Sequence, residues 1–382
     1  MSKFRKAFKG ALTAIALVTA LPGAAMADIN VGVIVSATGT TAALGIPMKN
    51  ALMFMPQEIN GEKVNVIFGD DTSDPSTATN LARRMITQDK VDVIIGSSMT
   101  GAAIAIAGVA NENGVPQLAM SPINLPEGKD AWTFRMPQQV SLMVSAVVED
   151  MKKRGVKTLG YIGFSDAWGD FWVRDLKALG EPAGIKMVAE ERYGRADTSV
   201  TGQVLKVSAA RPDAILIGAS GTASALPQVE LRQRGFTGPI YQTHGSVSND
   251  FIRIGGKAVE GTILPAGPVN VAEQLPDDAA VKAPGLEFVQ GYEKVHGENS
   301  RNQFAGHMYD GIQALKVALP VALKSAKPGT PEFRAAIKDA LESGLDIPAG
   351  HGVFNFSKTD HFGLDQRGRV LITVEDGKWK LL

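Results

Sequence analysis

The sequence predicts an α/β protein of two lobes, each with a central, mostly parallel sheet flanked by helices, and a cleft between them. Short β-branched runs alternate with longer helical patterns through most of the chain, as parallel sheets with helical crossovers require. The rhythm starts afresh after a helix over 141–154, so one sheet does not account for it. The chain has 382 residues, more than a single compact core organises well.

The first 27 residues are set apart from the fold. Lys3, Arg5, Lys6 and Lys9 make a positive start, 11–20 is apolar, and Ala25-Met26-Ala27 supplies the small residues of a cleavage site. Residues 1–27 are therefore expected to be an export signal peptide, leaving a soluble periplasmic chain that begins at Asp28. The apolar run is shorter than the roughly 20 residues that span a bilayer. No Cys follows it to take a lipid anchor.

In the first half, strands are predicted over 29–35, 64–68, 91–95 and 116–120, with helices over 44–58, 76–88 and 101–113. Asp74 is placed to cap the second of these helices, with Pro75 at its first position. Beyond the helix over 141–154, strands follow over 159–163, 188–191, 214–217, 240–242 and 261–264. Helices over 169–180, 200–210 and 224–235 lie between them. Pro and Gly interrupt 265–285, after which helices over 286–296, 304–325 and 331–343 lead to a strand-rich tail over 352–382.

Composition excludes several classes of function. Lys and Arg number 39 against 39 Asp and Glu, so there is no basic field to attract nucleic acid. The chain contains no cysteine, which removes disulfides and thiolate chemistry in a compartment that would permit both. The histidines, at 244, 296, 307, 351 and 361, show no paired ligand spacing, and neither a metal nor a cofactor is expected. No Gly-x-Ser-x-Gly elbow and no phosphate loop followed by Lys occurs. Asp70-Asp71 reads as a turn beside the capping Asp74 rather than a catalytic pair. No catalytic residue is assigned, and the chain is not expected to be an enzyme.

In open parallel sheets, ligands bind beyond the carboxyl ends of the strands, where loops lead into helix N-termini. The loop Gly96-Ser97-Ser98-Met99-Thr100-Gly101 fits that description, with free N–H groups and the positive end of a helix dipole available to an anion. Ser98 and Thr100 add hydroxyls there; plain helix capping by Ser or Thr is the alternative. Ser121 to Asn124 and Gly218 to Thr222 repeat the arrangement. Trp168, on a Gly-flanked polar loop, is expected to be partly exposed as a lid or stacking surface, whereas Trp132 is expected to pack.

Beside these features the chain resembles the branched-chain amino acid type of periplasmic binding proteins, which serve ABC importers. The markers are Ile29-Asn30-Val31-Gly32-Val33 leading to Thr38-Gly39 and Leu44-Gly45, then Glu58-Ile59-Asn60-Gly61 and Gly69-Asp70-Asp71-Thr72. Val93-Ile94-Ile95-Gly96, Phe134-Arg135, Trp168-Gly169, Ala258-Val259-Glu260-Gly261 and Tyr309-Asp310 follow in order. The resemblance implies a type I two-lobed fold whose chain crosses between lobes near Val140, Gly267 and Pro348. Lobe 1 would comprise 28–140 plus 268–347 and hold the carboxylate, and lobe 2 would comprise 141–267 plus 348–382 and close over it. The partners implied are a small carboxylate ligand and the permease subunits of an importer, with the chain acting as a monomer.

Carried over residue by residue, the resemblance puts the carboxylate on Ser98, Thr100 and Gly101, with Ser121 and Asn124 on the next loop. Leu44 would cover the ligand, Trp168 and Phe304 would close on it, and the small residues Ser220 and Gly221 would widen the pocket. The departure is His244, which stands where amino acid binders of the family place an acidic residue for the ligand ammonium. A buried ammonium without a counter-charge costs several kcal/mol. The expected ligand is thus an amine-free aromatic, keto or hydroxy acid. The alternatives are that His244 only satisfies its own loop, that the chain is an amino acid or amide binder or a sensor of the same fold, and, remotely, a secreted hydrolase.

Overall fold

The computed structural model describes residues 28–382, so the export segment expected over 1–27 lies outside the described residues. The chain opens with β1 (Ile29–Val35), α1 (Ala42–Asn50), β2 (Glu58–Ile59), β3 (Glu62–Asp70) and α2 (Pro75–Thr87). It continues through β4 (Val93–Gly96), α3 (Thr100–Asn113), β5 (Gln117–Ala119) and β6 (Thr133–Arg135). These six strands form one sheet in the order β2-β3-β1-β4-β5-β6, parallel except for the β2–β3 pair.

The period of two along β1 and β4 explains why this sheet needs cover on both sides. Val31, Val33, Val35, Val93 and Ile95 point into one apolar cluster, whereas Ile34 and Ile94 point into another. Ala78, Ala82 and Met85 of α2, with Ala102 and Ile106 of α3, fill the second cluster. Asp74 caps α2, its side chain accepting from Thr77 N.

A second sheet follows from α4 (Val140–Lys153), β7 (Thr158–Phe164), α5 (Ala167–Gly180), β8 (Lys186–Tyr193), α6 (Thr201–Ala209) and β9 (Ala214–Gly218). The chain proceeds through α7 (Ala225–Gln233), β10 (Ile240–Gln242), α8 (Asn249–Gly255) and β11 (Ile263–Ala266). It returns toward the first sheet with α9 (Lys282–His296), α10 (Gln303–Ala322), α11 (Pro331–Leu341) and the hairpin β12 (Ile347–Pro348) and β13 (Val353–Phe354). Finally β14 (Val370–Glu375) and β15 (Lys378–Leu381) join the second sheet, whose order is β15-β14-β11-β10-β9-β7-β8. Only β14 runs against the rest, pairing antiparallel with β11 on one side and β15 on the other. Among the described residues no helix is long and apolar enough to cross a membrane.

Three details differ from the sequence reading. The helix expected over 44–58 stops at Asn50, continues as a 3-10 turn over Ala51–Phe54, and turns extended at Met55 (ψ 124°). Pro56 has no N–H to offer a continuing helix and disfavours a helical residue before it. Helix α8 was not foreseen; Ser248 caps it by accepting from Phe251 N. The third crossing, expected at 348, comes later, because Phe354 and Phe356 lie in the first sheet's apolar cluster with Ile347 and Ala349. The Phe356 ring packs edge-on against Phe134 at 5.3 Å, a large apolar surface that holds this stretch to the first lobe.

The three crossings touch one another. Gln138 Nε2 donates to Gly368 O at 2.9 Å, tying the first to the third. A Cβ on Gly267 would lie 2.0 Å from His351 Cδ2 and 2.6 Å from Gln138 Nε2, so only glycine lets the middle crossing pass between them.

Candidate functional site

The carboxyl ends of the parallel strands of both sheets face one narrow cavity between the lobes. From the first sheet come Leu44 beyond β1, Ser98 and Thr100 beyond β4, and Met120, Ser121 and Pro122 beyond β5. The second sheet contributes Trp168 beyond β7, Arg195 beyond β8, Ser220 beyond β9, and His244 and Gly245 beyond β10. Pro137 of the first crossing and Phe304 and His307 of α10 complete the wall.

Eight residues expected from sequence therefore share this wall: Leu44, Ser98, Thr100, Ser121, Trp168, Ser220, His244 and Phe304. Three do not. Gly101 is not part of it, and a Cβ there would lie 3.5 Å from Pro75 Cγ. Asn124 is half-buried beside α5, where its side-chain oxygen accepts from Arg174 Nη1 at 3.3 Å and Nη2 at 3.1 Å, bridging the lobes. Gly221, at φ +62°, is where the lobes touch, 3.0 Å from Leu44 Cδ1 to its missing Cβ.

The start of α3 bears on the choice between capping and anion binding. Its N-cap residue is Met99, and no side chain caps it, so the first N–H groups of the helix have no intrahelical or side-chain acceptor. The nearby hydroxyls do not cap it. Thr100 Oγ1 and Ser121 Oγ share a hydrogen bond of 2.8 Å, and Ser98 Oγ accepts from Ser36 N at 3.1 Å. Ser97 Oγ donates to Asp71, whose other carboxylate oxygen accepts from Ser36 Oγ at 2.6 Å and Ser73 N at 2.9 Å. Asp71 thus braces the loop from beneath. The uncapped helix start can take a carboxylate on its N–H groups.

On the opposite lobe, Trp168 is only 5 % exposed, not the partly exposed lid its loop suggested. Its indole N–H donates to Ala219 O at 3.2 Å, and its ring meets His244 edge-on at 5.1 Å. The loop is drawn inward because Asp166 caps α5, accepting from Trp168 N and Gly169 N. Asp166 also accepts from Arg195 Nε at 2.6 Å, while Arg195 Nη1 donates to Ser220 Oγ at 2.9 Å. The Arg195 guanidinium lies 4.2 Å from the centre of the Phe164 ring, which fixes its plane.

Two imidazoles reach the wall, His244 and His307, each 2 % exposed, and none of their four ring nitrogens has a partner among the described residues. His244 does not satisfy its own loop: Thr243 Oγ1 does that by accepting from Gly245 N at 3.1 Å. Burial, with the nearby His351 second, pushes the His244 imidazole down to about 3. The same causes, joined by His244 itself, push His307 well below the usual histidine range. Among the described residues no group of three His, Asp or Glu is arranged to hold a metal ion.

Arg195 and His307 were not among the expected site residues, although signals for both exist. Arg195 follows a strand of the second sheet, the same position that singled out Ser98 and Ser220. His307 lies three residues after Phe304 and so on the same face of α10.

This geometry defines a two-lobed ligand-binding protein. The chain belongs to the periplasmic binding protein family, whose model matches residues 28–378. Within that family it is of the Leu/Ile/Val-binding type, a type I fold. The Leu/Ile/Val-binding protein homolog 3 of Brucella melitensis is 25% identical over 351 residues, covering 88% of this chain and 89% of that protein. An extracellular ligand-binding receptor from Rhodopseudomonas palustris HaA2 is 52% identical, with TM-score 0.92, and the match covers 93% of this chain and all of that one. A solute-binding protein of an ABC transporter from R. palustris, solved in complex with benzoate, shares the fold at 20% identity and TM-score 0.76, over 93% of this chain and 96% of that one. The chain is accordingly a periplasmic binding protein by family and fold.

Proposed function

We propose that this protein captures a small, amine-free carboxylate, an aromatic or keto/hydroxy acid in preference to a branched-chain amino acid, and delivers it as a monomer to importer permease subunits. The observation that carries this reading is the charge of the cavity wall. Arg195 is a cation on it, and among the described residues no Asp or Glu side chain lines it. An ammonium group there would lose its hydration, face a guanidinium and find no counter-charge, at a cost of several kcal/mol. A carboxylate is instead offered the free N–H groups at the start of α3 and the hydroxyls of Thr100 and Ser121. Trp168 and Phe304 supply aromatic surface for a ring. The benzoate bound by the R. palustris solute-binding protein of the same fold is in keeping with this class of ligand.

Amino acid capture is the second reading, favoured by the names of the Leu/Ile/Val-binding relatives. Ligand-induced stabilisation separates the two, because a ligand at a hundred times its Kd adds about 2.7 kcal/mol to the folded state. Benzoate, cinnamate or a branched keto acid should raise the unfolding midpoint, whereas leucine and valine should not. Stabilisation by leucine or valine alone would reverse the assignment.

A further inference from the structure

We propose that His244 and His307 together form a hydroxyl-reading subsite, so that the ligand is a hydroxylated acid whose OH lies between the two imidazoles. This rests on the reading of the cavity as an acid-binding site and adds what the end of the ligand away from the carboxylate must carry.

The two histidines come from different parts of the chain. His244 begins the turn after β10, and its carbonyl accepts from Gln303 Nε2 at 2.6 Å, which joins that turn to the start of α10. His307 follows one turn later on α10, beyond Phe304. Both rings are buried, both line the cavity, and their nitrogens find no acceptor or donor among the described residues. Buried polar groups are nearly always satisfied, so four unsatisfied nitrogens at one wall call for a polar group on the ligand.

The chemistry of that group follows from the protonation state. Burial keeps both rings neutral, so each carries one N–H and one lone pair. A hydroxyl matches such a pair, accepting from one ring and donating to the other. A second carboxylate would only accept, from one N–H of each ring, and would bury a charge that two neutral rings do not offset. A bare C–H edge would leave the nitrogens as they are.

The rings are also held in place. His244 is wedged against Trp168 at 5.1 Å and Trp172 at 5.8 Å. His307 lies against His351, ring centres 4.1 Å apart. His351 is itself fixed, since Asp310 accepts from His351 Nδ1 at 2.7 Å and from the N–H groups of Gly350 and His351 at 2.7 and 3.1 Å. Asp310 and His351 act as positioning residues. They hold the imidazole of His307 at the wall without reaching the cavity themselves.

Titration calorimetry of the full mature chain with benzoate against 4-hydroxybenzoate, and cinnamate against 4-hydroxycinnamate, tests this. The hydroxylated member of at least one pair should bind tenfold or more tightly, a difference of about 1.4 kcal/mol. In His307→Phe that preference should disappear while the unhydroxylated acid still binds, and His307→Gln, which keeps a donor and an acceptor, should retain part of it. Equal binding within both pairs by the wild type would overturn the subsite and leave acid binding standing. So would a preference that survives in His307→Phe. Failure of all four acids to bind would overturn the acid-binding reading and the subsite with it. Because the wild-type comparison needs no substitution, a variant that does not fold leaves the test decisive.

Discussion

Thr100 Oγ1 and Ser121 Oγ lie 2.8 Å apart, a single hydrogen bond joining the loops that follow two neighbouring strands of the first sheet. One hydroxyl hydrogen is used in this bond, leaving the other free to donate to a ligand at the uncapped start of α3. Replacing Thr100 by Val keeps the shape and removes the hydroxyl. A hydrogen bond to a charged group contributes about 1.5–3 kcal/mol, so Thr100→Val should raise the Kd of an acid ligand by roughly ten- to a hundredfold. The unfolding midpoint without ligand should change far less. Unchanged affinity in calorimetry would mean that the carboxylate docks elsewhere on the wall.

Arg195 gives a second handle on the same charge. Its contacts to Asp166, Ser220 and Phe164 hold the guanidinium at the cavity with one N–H edge uncommitted. Arg195→Gln keeps a polar side chain of similar reach and removes the cation. Affinity for an acid should fall by about tenfold or more, and the amide of the same acid, which carries no charge, should gain relative to it. If acid and amide weaken equally, Arg195 only braces the Asp166 loop.

What could be read from the sequence divides along physical lines. Thr100, Ser121 and Ser220 were legible because a strand end followed by small hydroxyl residues is a local pattern with a local consequence. His307 and Arg195 were not, since what brings them to the cavity is the packing of α10 and of the loop after β8. The lobe boundary near 348 failed for a related reason. A crossing is set by which core buries Phe354 and Phe356, and sequence shows the aromatics without showing their partners. Trp168 was misjudged because the capping of α5 by Asp166 turns a polar loop inward.

Asp71 tests whether the ligand loop is held or merely leans. It is fully buried, and it accepts hydrogen bonds from Ser36, Ser73 and Ser97, linking the ends of β1, β3 and β4. Asp71→Ala would leave the two buried hydroxyls of Ser36 and Ser97 and the half-buried Ser73 N–H without this acceptor, each buried one costing about 1–3 kcal/mol. Chemical denaturation should show a loss of at least about 2 kcal/mol, and ligand affinity should drop with it. A loss below about 0.5 kcal/mol would show that the loop is held by other contacts.

The buried imidazoles make stability depend on pH in a definite direction. A histidine in the unfolded chain titrates near 6.5. Folding holds His244 at about 3 and His307 well below the usual range, mainly through burial. At a pH between those values the unfolded chain binds protons that the folded chain does not, so stability is full above about 6.5 and falls as pH drops. Each histidine contributes a slope of about 1.4 kcal/mol per pH unit in that window. Between pH 6 and 5 the ligand-free protein should therefore lose stability steeply, and His307→Gln should remove about half of the histidine slope. An aromatic acid bound in the cavity should offset the loss without changing its sign. Denaturation curves at pH 7, 6 and 5 decide it: a variant whose slope equals that of the wild type would show that His307 takes up its proton in the folded protein as readily as in the unfolded one.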